Sequence, residues 1–179
     1  MKEVIAIKDK QFDLFIEQEV IEQEIKRVAQ QINADLADRN PIFLAVLNGA
    51  FMFAAELMKE VSIPSEITFV RLASYQGTTS TSQVKEVLGI NEDIEERTVV
   101  IVEDIVDSGA TMASLLDQLV PLKPQEVKIA TLLFKPAALK KKIHLDYVVL
   151  EIPNDFIVGY GLDYEQRYRN LPYVGVMKP

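Results

Sequence analysis

The 179-residue sequence contains no cysteine and a single histidine, His144. The missing thiols exclude disulfides, thiolate zinc sites and cysteine-based catalysis, and one imidazole cannot form a histidine metal cluster. Long apolar runs are also missing. The N-terminal stretch MKEVIAIKDK is too polar for a signal-peptide core, and no later run has the length of a membrane span. We therefore expect a cytoplasmic protein with no membrane partner.

Basic residues are in the minority: 19 Lys and Arg stand against 27 Asp and Glu, for a formal net charge of −8. This charge disfavours broad attraction to nucleic acid phosphates, so we expect no nucleic acid partner. An anionic ligand must then be bound by local contacts. The lysines at 140–142, beside His144, are typical of a solvated surface, and His144 receives no role.

The pattern of apolar residues predicts a mostly parallel α/β sheet in one domain. Phe15, Ile16, Val20 and the later apolar positions up to Leu36 predict an amphipathic helix from Phe12 to Leu36. The run PIFLAVLNG predicts a strand buried on both faces, and AFMFAAELMKEV a helix. Further strands are predicted at 66–75, 98–102, 126–135, 147–153 and 173–177, with a loop at 76–83. Strands that alternate with helices favour parallel pairing, with ligands at the carboxyl ends of the strands.

The stretch VVIVEDIVDSGATM, Val99–Met112, carries the most chemistry. Glu103 and Asp104 follow the predicted strand Thr98–Val102, and Asp-Ser-Gly-Ala-Thr then leads into a helix. A glycine turn at a helix N-terminus suits a phosphate, whereas carboxylates suit hydroxyl groups or a cation. A sugar phosphate satisfies both halves. The alternative is an Asp/Ser helix cap without a ligand.

An apolar strand, Glu-Asp, two apolar residues and Asp-Ser-Gly-x-Thr resemble the phosphoribosyl pyrophosphate signature of the type I phosphoribosyltransferases. Four further segments resemble the hypoxanthine-guanine members: LNGAFMFAAEL, RLASYQGTTSTSQV, VKIATLLFKP and EIPNDFIVGYGLDYEQRYRNLPYVGV. The resemblance implies a twisted, mostly parallel sheet flanked by helices, with a small hood from the terminal segments. It implies a single domain over 1–179 with its core at about 37–150.

The resemblance also implies a purine salvage reaction, in which phosphoribosyl pyrophosphate and hypoxanthine or guanine give IMP or GMP and pyrophosphate. Glu103 and Asp104 would hold the ribose hydroxyls and Mg²⁺. Asp107 would be the general base or proton relay near the purine N7. The 5′-phosphate loop would comprise Asp107, Ser108, Gly109, Ala110 and Thr111.

At the base end, the resemblance implies that Lys135 donates to the 6-oxo group, that Phe156 stacks on the base, and that the backbone of Ile157 meets the base edge. By residue type alone, Lys135 would be an exposed strand end and Phe156 a core residue. Because lysine offers only donors, the 6-amino group of adenine is a mismatch. Xanthine differs only at the 2-position, so a xanthine-preferring enzyme stays open as an alternative.

The pyrophosphate end would involve Arg169 and the turn at Asn48 and Gly49, and Asp163 would meet a second Mg²⁺. Many relatives carry a basic residue at position 48, so the backbone of the turn would have to serve here. By residue type, Asp163 and Arg169 would be solvated charges. Ser74 and Tyr75 would begin a lid, in a polar segment that could also be an ordinary loop.

Other departures from the family lie at Ala110, where some relatives have Lys or Asn, and at Pro136, where some have Arg. Both are expected to tune affinity. A regulatory RNA-binding protein or a nucleotide sensor on the same fold are the remaining alternatives. The acidic charge disfavours the first, and the presence of Asp107 and Lys135 disfavours the second. The family resemblance implies a homodimer or homotetramer.

Overall fold

The structure is a computed structural model that describes residues 4–7, 10–74 and 84–178. Its strands are β1 (Val4–Ile7), β2 (Lys10–Ile16), β3 (Ile42–Leu47), β4 (Glu66–Ser74), β5 (Val84–Leu88), β6 (Thr98–Val106), β7 (Glu126–Phe134), β8 (Tyr147–Glu151), β9 (Ile157–Val158) and β10 (Val174–Met177). The α-helices are α1 (Gln18–Asp35), α2 (Phe51–Glu60) and α3 (Ala110–Leu119). Within these described ranges, no helix combines the length and apolar character needed to cross a bilayer.

The central sheet has six strands in the order β5-β4-β3-β6-β7-β8. Its strands β4, β3, β6, β7 and β8 pair in parallel, and only β5 is antiparallel to its neighbour β4. The predicted mostly parallel sheet is therefore confirmed. Strand β5 was not predicted, because VKEVL mixes two charged residues with apolar ones and shows no regular alternation.

Both faces of the sheet are covered. Phe43 and Ala45 of β3 face a core that is shared with α1 and α2, whereas Ile42 and Leu44 face the core under α3. Successive side chains of a strand point to opposite faces, so a strand between two helical layers is apolar throughout. The continuous apolar run in β3 therefore has the predicted cause.

The predicted helix from Phe12 to Leu36 is wrong at its N-terminal end. Phe12 to Ile16 belong to β2, which pairs on one side with β1 and on the other with β10, and α1 begins only at Gln18. Val20 and Phe15 are 43% and 38% exposed. The buried stripe of α1 consists of Ile21, Ile25, Val28, Ala29 and Ile32, and Leu36, directly after the helix, is buried with them. Backbone pairing with distant segments thus overrode a spacing that suggested a longer helix.

The two chain ends form a second sheet in the order β1-β2-β10-β9, with all neighbours antiparallel. We call this sheet and the loop 159–173 the hood. The hood touches the turn between β3 and α2, since a Cβ on Gly161 would lie 2.0 Å from the carbonyl oxygen of Gly49. The sheet thereby places C-terminal residues beside the carboxyl ends of the central strands.

Candidate active site

The adjacent acids Glu103 and Asp104 lie within β6, not after it. The prediction that this strand ends at Val102 is wrong, because its ladder with β7 continues to Val106. Pairing with β3, however, stops at Val102, opposite Ala45. The acids therefore lie where β6 loses one of its two neighbours, and the Asp104 carboxylate borders the β3–α2 turn at Gly49.

Burial dominates the electrostatics of this acid pair. Glu103 is only 5% exposed, and burial together with the Asp104 charge raises the pKa of Glu103 well above its ordinary value. Burial also raises the pKa of Asp104, although its backbone hydrogen bond and the positive charge of Arg169 act in the opposite direction. Oε1 of Glu103 accepts the N–H of Asp104 at 3.1 Å, and Oδ1 of Asp104 accepts the N–H of Ile105 at 2.8 Å.

This acid pair has the donor chemistry for a hard divalent cation. Within the part of the chain that the structure describes, no three His, Cys, Asp or Glu side chains are grouped so that they could hold a metal. Mg²⁺ commonly takes only one or two protein carboxylates and completes its shell with substrate oxygens and water. Two adjacent carboxylates with few protein partners therefore fit a magnesium that is shared with a ligand.

The loop after β6 has the geometry of an anion site. Gly109 has φ +78°, a left-handed conformation that favours glycine, and α3 begins at the next residue. Oδ1 of Asp107 accepts the N–H of Ser108, and the hydroxyl of Ser108 lies 3.4 Å from the N–H of Ala110. Backbone N–H groups at the start of a helix are suited to binding phosphate.

A segment that sequence reasoning left without a role supports this loop. The N–H groups of Lys140 and Lys141 donate to the carbonyl of Ser108 at 3.0 and 3.1 Å. A Cβ on Gly109 would lie 3.1 Å from methyl groups of both Leu139 and Ile143. The backbone of 139–143 therefore fixes the loop, while the side chains of Lys140 and Lys141 are exposed as expected.

The turn at Asn48 and Gly49 connects β3 with α2 and faces Asp104. The peptide bond between Leu47 and Asn48 is cis. A Cβ on Gly49 would lie 1.6 Å from Oδ2 of Asp104, so the carboxylate occupies the space that a side chain would need. Turn and acid pair are thus in direct contact, although 55 residues separate Gly49 from Asp104 in the sequence.

Asp163 and Arg169 are brought together in the hood loop. Nη2 of Arg169 lies 2.6 Å from Oδ1 of Asp163, and its Nη1 donates to the carbonyl of Gly161 at 2.8 Å. The other carboxylate oxygen of Asp163 accepts the N–H of Gln166 at 2.7 Å. The ion pair is about one-fifth exposed on each side, so these charges are not freely solvated, contrary to the expectation from residue type.

The base end of the site joins β7 to the segment before β9. Lys135 follows β7, and its Nζ donates to the carbonyl of Asp155 at 2.6 Å. Phe156 is 46% exposed, so it is not a core residue. Ile157 is different: its side chain is 5% exposed, and its backbone pairs with Val176 in β10. Lys135 and Phe156 are therefore neighbours, although they come from separate strands.

Two aromatic residues near Phe156 were not predicted from the sequence as part of the site. Phe12 and Tyr164 both contact its ring. The position of Tyr164 next to Asp163 was a usable signal, but Phe12 lay in a segment predicted to be helical. Ser74 ends β4. Tyr75 and the predicted loop 76–83 lie outside the described residues.

Comparison with known proteins gives a consistent answer. Residues 15–165 match the phosphoribosyl transferase domain. A hypoxanthine-guanine phosphoribosyltransferase of Streptococcus pyogenes serotype M3 is 45% identical over 166 residues, which are 92% of each chain. The bifunctional protein TilS/HprT of Listeria innocua is 41% identical over 167 residues, and there the chain spans only 26% of the relative's length.

Solved structures show the same fold. A hypoxanthine phosphoribosyltransferase from Staphylococcus aureus superposes with a TM-score of 0.88 at 36% identity, over 93% of this chain and 91% of that one. A hypoxanthine-guanine phosphoribosyltransferase from Bacillus anthracis gives 0.86 at 36% identity, over 93% and 97% of the two chains. The domain match over most of the sequence and these structural similarities establish that the chain belongs to the phosphoribosyl transferase family, with the type I fold.

Proposed function

We propose that this chain is a purine salvage enzyme that transfers the 5-phosphoribosyl group of phosphoribosyl pyrophosphate to hypoxanthine or guanine. The products are IMP or GMP and pyrophosphate. The observation that carries the proposal is the position of the Glu103–Asp104 pair, between a glycine turn suited to phosphate and a turn in contact with the hood. The Lys135 ammonium, bonded to the backbone of Asp155, and the exposed Phe156 that follows would add a site for a planar base with an oxo group.

The sugar phosphate would bind along β6 and the start of α3. The loop Asp107–Thr111 would cradle the 5′-phosphate with backbone N–H groups and the hydroxyls of Ser108 and Thr111. Ala110 adds no side-chain donor, so the fixed backbone carries this contact. Glu103 and Asp104 would accept hydrogen bonds from the ribose 2′- and 3′-hydroxyls.

The same acids and Asp163 would hold Mg²⁺. When bound, magnesium would supply electrostatic stabilisation of the negative charge that develops on the leaving pyrophosphate. Asp163 already pairs with Arg169, so cation and guanidinium would share this carboxylate. Arg169 would contact the pyrophosphate, and the backbone of Asn48 and Gly49 would line its other side, since Asn48 brings no charge.

Transfer separates charge at the ribose C1, because pyrophosphate leaves as a purine nitrogen attacks. The carboxylates of Glu103 and Asp104 would favour the positive charge that develops on the sugar, as acids do at other glycosidic carbons. Asp107 would accept or relay the proton of the purine near N7, and it is exposed at the mouth of the loop. A lid beginning at Ser74 and Tyr75 would exclude water from this step.

Lys135 would decide which base binds. An ammonium has three donors, and one of them is directed at the Asp155 carbonyl, which leaves donors for a 6-oxo group. The amino group of adenine cannot accept them, and an unpaired buried polar group costs about 1 to 3 kcal/mol, or roughly tenfold or more in affinity. Phe156 would stack on the base, and the backbone of Ile157 would contact its edge.

Several finer properties rest on the resemblance to the family. These are the single domain over 1–179 with a core of about 37–150, and assembly as a homodimer or homotetramer. A cytoplasmic location is proposed from the lack of long apolar runs in the sequence. Xanthine preference, nucleotide sensing and RNA binding are alternatives that an assay can separate. The net charge of −8 argues against RNA as the partner.

The test is nucleotide formation by the purified protein with phosphoribosyl pyrophosphate and Mg²⁺, with hypoxanthine, guanine, xanthine, adenine and uracil offered separately. We expect IMP and GMP, little product with adenine or uracil, and a large loss of rate in Asp107→Asn. Asp117→Asn, which changes an exposed acid on α3, is the matched control and should keep full activity. Product from xanthine in preference to the other bases would replace the proposed specificity, and binding of phosphoribosyl pyrophosphate without turnover would favour a sensor.

A further inference from the structure

We propose that Phe12, on hood strand β2, positions Phe156 for stacking on the purine, so that β2 sets the affinity for the base. The inference rests on the stacking role proposed above for Phe156. It concerns a residue more than 140 positions away in sequence and without direct access to the ligand, since Phe12 is 0% exposed. Phe12 is therefore a positioning residue.

In the backbone of the hood, Phe12 and Phe156 are both neighbours of Met177, one on each side of its strand. Phe12 pairs with Met177 across the β2–β10 ladder, and the N–H of Met177 donates to the carbonyl of Phe156 at 2.9 Å. The ring centroids of Phe12 and Phe156 are 6.3 Å apart, with an interplanar angle of 49°. This distance and tilt lie in the range of a favourable aromatic pair.

Tyr164 completes a group of three rings in mutual contact. Its ring meets Phe156 edge-on, at 5.9 Å and 85°, and lies 6.2 Å from Phe12 at 54°. Phe156 is nevertheless 46% exposed, so part of its ring stays uncovered and is available to a ligand. Phe12 and Tyr164 therefore contact the ring of Phe156 and still leave almost half of this residue uncovered.

The backbone around Phe156 does not by itself fix the direction of the ring. Phe156 precedes the two-residue strand β9, and its neighbours are held by the bonds from Lys135 to the Asp155 carbonyl and from Met177 to the Phe156 carbonyl. Both bonds anchor main-chain atoms, whereas the side-chain torsion depends on packing. Loss of the Phe12 ring would leave a gap into which Phe156 can rotate, away from the base.

The experiment compares Phe12→Leu, Phe156→Leu and the double variant in steady-state kinetics. We expect Phe12→Leu to raise KM for hypoxanthine about 2- to 10-fold, the range of one aromatic pair, with kcat and the KM for phosphoribosyl pyrophosphate retained. Because Phe12 acts through Phe156, Phe12→Leu should add nothing to the effect of Phe156→Leu in the double variant. Phe43→Leu removes an equally buried ring from β3; it should lower the melting temperature and leave KM unchanged.

Each outcome has a distinct meaning. No turnover of any 6-oxopurine by the unmodified protein overturns the proposed function and this inference with it. An unchanged base KM in Phe156→Leu removes the stacking role and, with it, the inference. A changed KM in Phe156→Leu without one in Phe12→Leu, or additive effects in the double variant, overturns the inference alone. Should Phe12→Leu fail to fold, Phe12→Met fills more of the same space, and the same comparison of KM values decides.

Discussion

The carboxylate of Asp104 occupies the space in which Gly49 has no side chain: a Cβ on Gly49 would lie 1.6 Å from Oδ2. The requirement for glycine comes from this contact and not from the backbone, because the described glycines with positive φ are Gly109, Gly159 and Gly161. The β3–α2 turn and the acid pair on β6 therefore form one unit. Any change at position 49 acts first on the direction of the Asp104 carboxylate.

Gly49→Ala should inactivate the protein while leaving it folded. The end of an Asp side chain can rotate away from the new methyl group, so the backbone need not move. A displacement of about 1 Å in a group that contacts substrate costs on the order of 100-fold in rate, and we expect a fall of that size in kcat/KM. Initial rates and thermal melting of the same preparation check both parts of the prediction.

Gly161→Ala is the matched comparison. Its Cβ would lie 2.0 Å from the backbone carbonyl oxygen of Gly49, and its φ is +99°, so neither clash nor conformation can be relieved by a side chain. We expect a loss of unfolding free energy of about 1 to 3 kcal/mol. An equal or smaller drop in melting temperature than in Gly49→Ala would show that the hood loop yields more easily than its contacts indicate.

Glu103→Gln should stabilise the protein at alkaline pH in the absence of magnesium. Burial and the Asp104 charge raise the pKa of Glu103 well above its ordinary value of 4.5. The folded state therefore binds the proton more tightly than the unfolded chain, and this contribution to stability is complete below pH 4.5 and lost as pH rises through the raised pKa. Near pH 8 the neutral amide of the variant avoids that loss, and we expect its unfolding free energy to exceed that of the unmodified protein by about 1 to 3 kcal/mol.

Urea denaturation of both proteins across the pH range measures this difference. The gain should shrink towards pH 4.5, where Glu103 is itself protonated in the folded state. Glu92→Gln, at an exposed position, should show no such pH dependence. A gain that is constant with pH would point to packing instead of charge. Activity should fall in Glu103→Gln despite the higher stability, because the ribose and magnesium contacts lose a charge.

Arg169→Lys should weaken the use of phosphoribosyl pyrophosphate specifically. Lysine cannot reproduce the fork with which Arg169 reaches Asp163 and the Gly161 carbonyl. Loss of one charge-assisted hydrogen bond corresponds to roughly a tenfold rise in KM for phosphoribosyl pyrophosphate. Arg167→Lys makes the same exchange at an exposed position two residues away and should leave KM unchanged. Equal effects of both variants would contradict a role for the ion pair.

Lys135→Met should lower kcat/KM for hypoxanthine and guanine about tenfold or more, because the 6-oxo group and the Asp155 carbonyl both lose a donor. The KM for phosphoribosyl pyrophosphate should stay within about twofold, since the contact lies at the base end. Lys142→Met, at an exposed lysine, is the control. A rise in the KM for phosphoribosyl pyrophosphate with an unchanged base KM would place Lys135 at the other end of the site.

Patterns within single segments predicted much of the central sheet. β3, α2, β4, β7 and β8 appear where the apolar runs placed them, since local hydrophobic patterning reflects burial by neighbouring layers. Prediction failed where pairing partners decide. Phe12 to Ile16 form a strand because β10 lies beside them. β6 extends past Val102 because it pairs with β7 as far as Val106. Neither partner is visible in the segment itself.

The sequence alone determined the acid pair, the glycine turn and the helix that follows, because these are consecutive residues whose chemistry depends on short-range geometry. Tertiary structure alone decided that Gly49 meets Asp104 and that Arg169 pairs with Asp163 beside the β3–α2 turn. It also decided that the rings of Phe12 and Phe156 are in contact. Each of these last relationships is set by strand order and by the hood folding over the sheet. Contacts between distant segments depend on the packing of the whole chain, which no local pattern encodes.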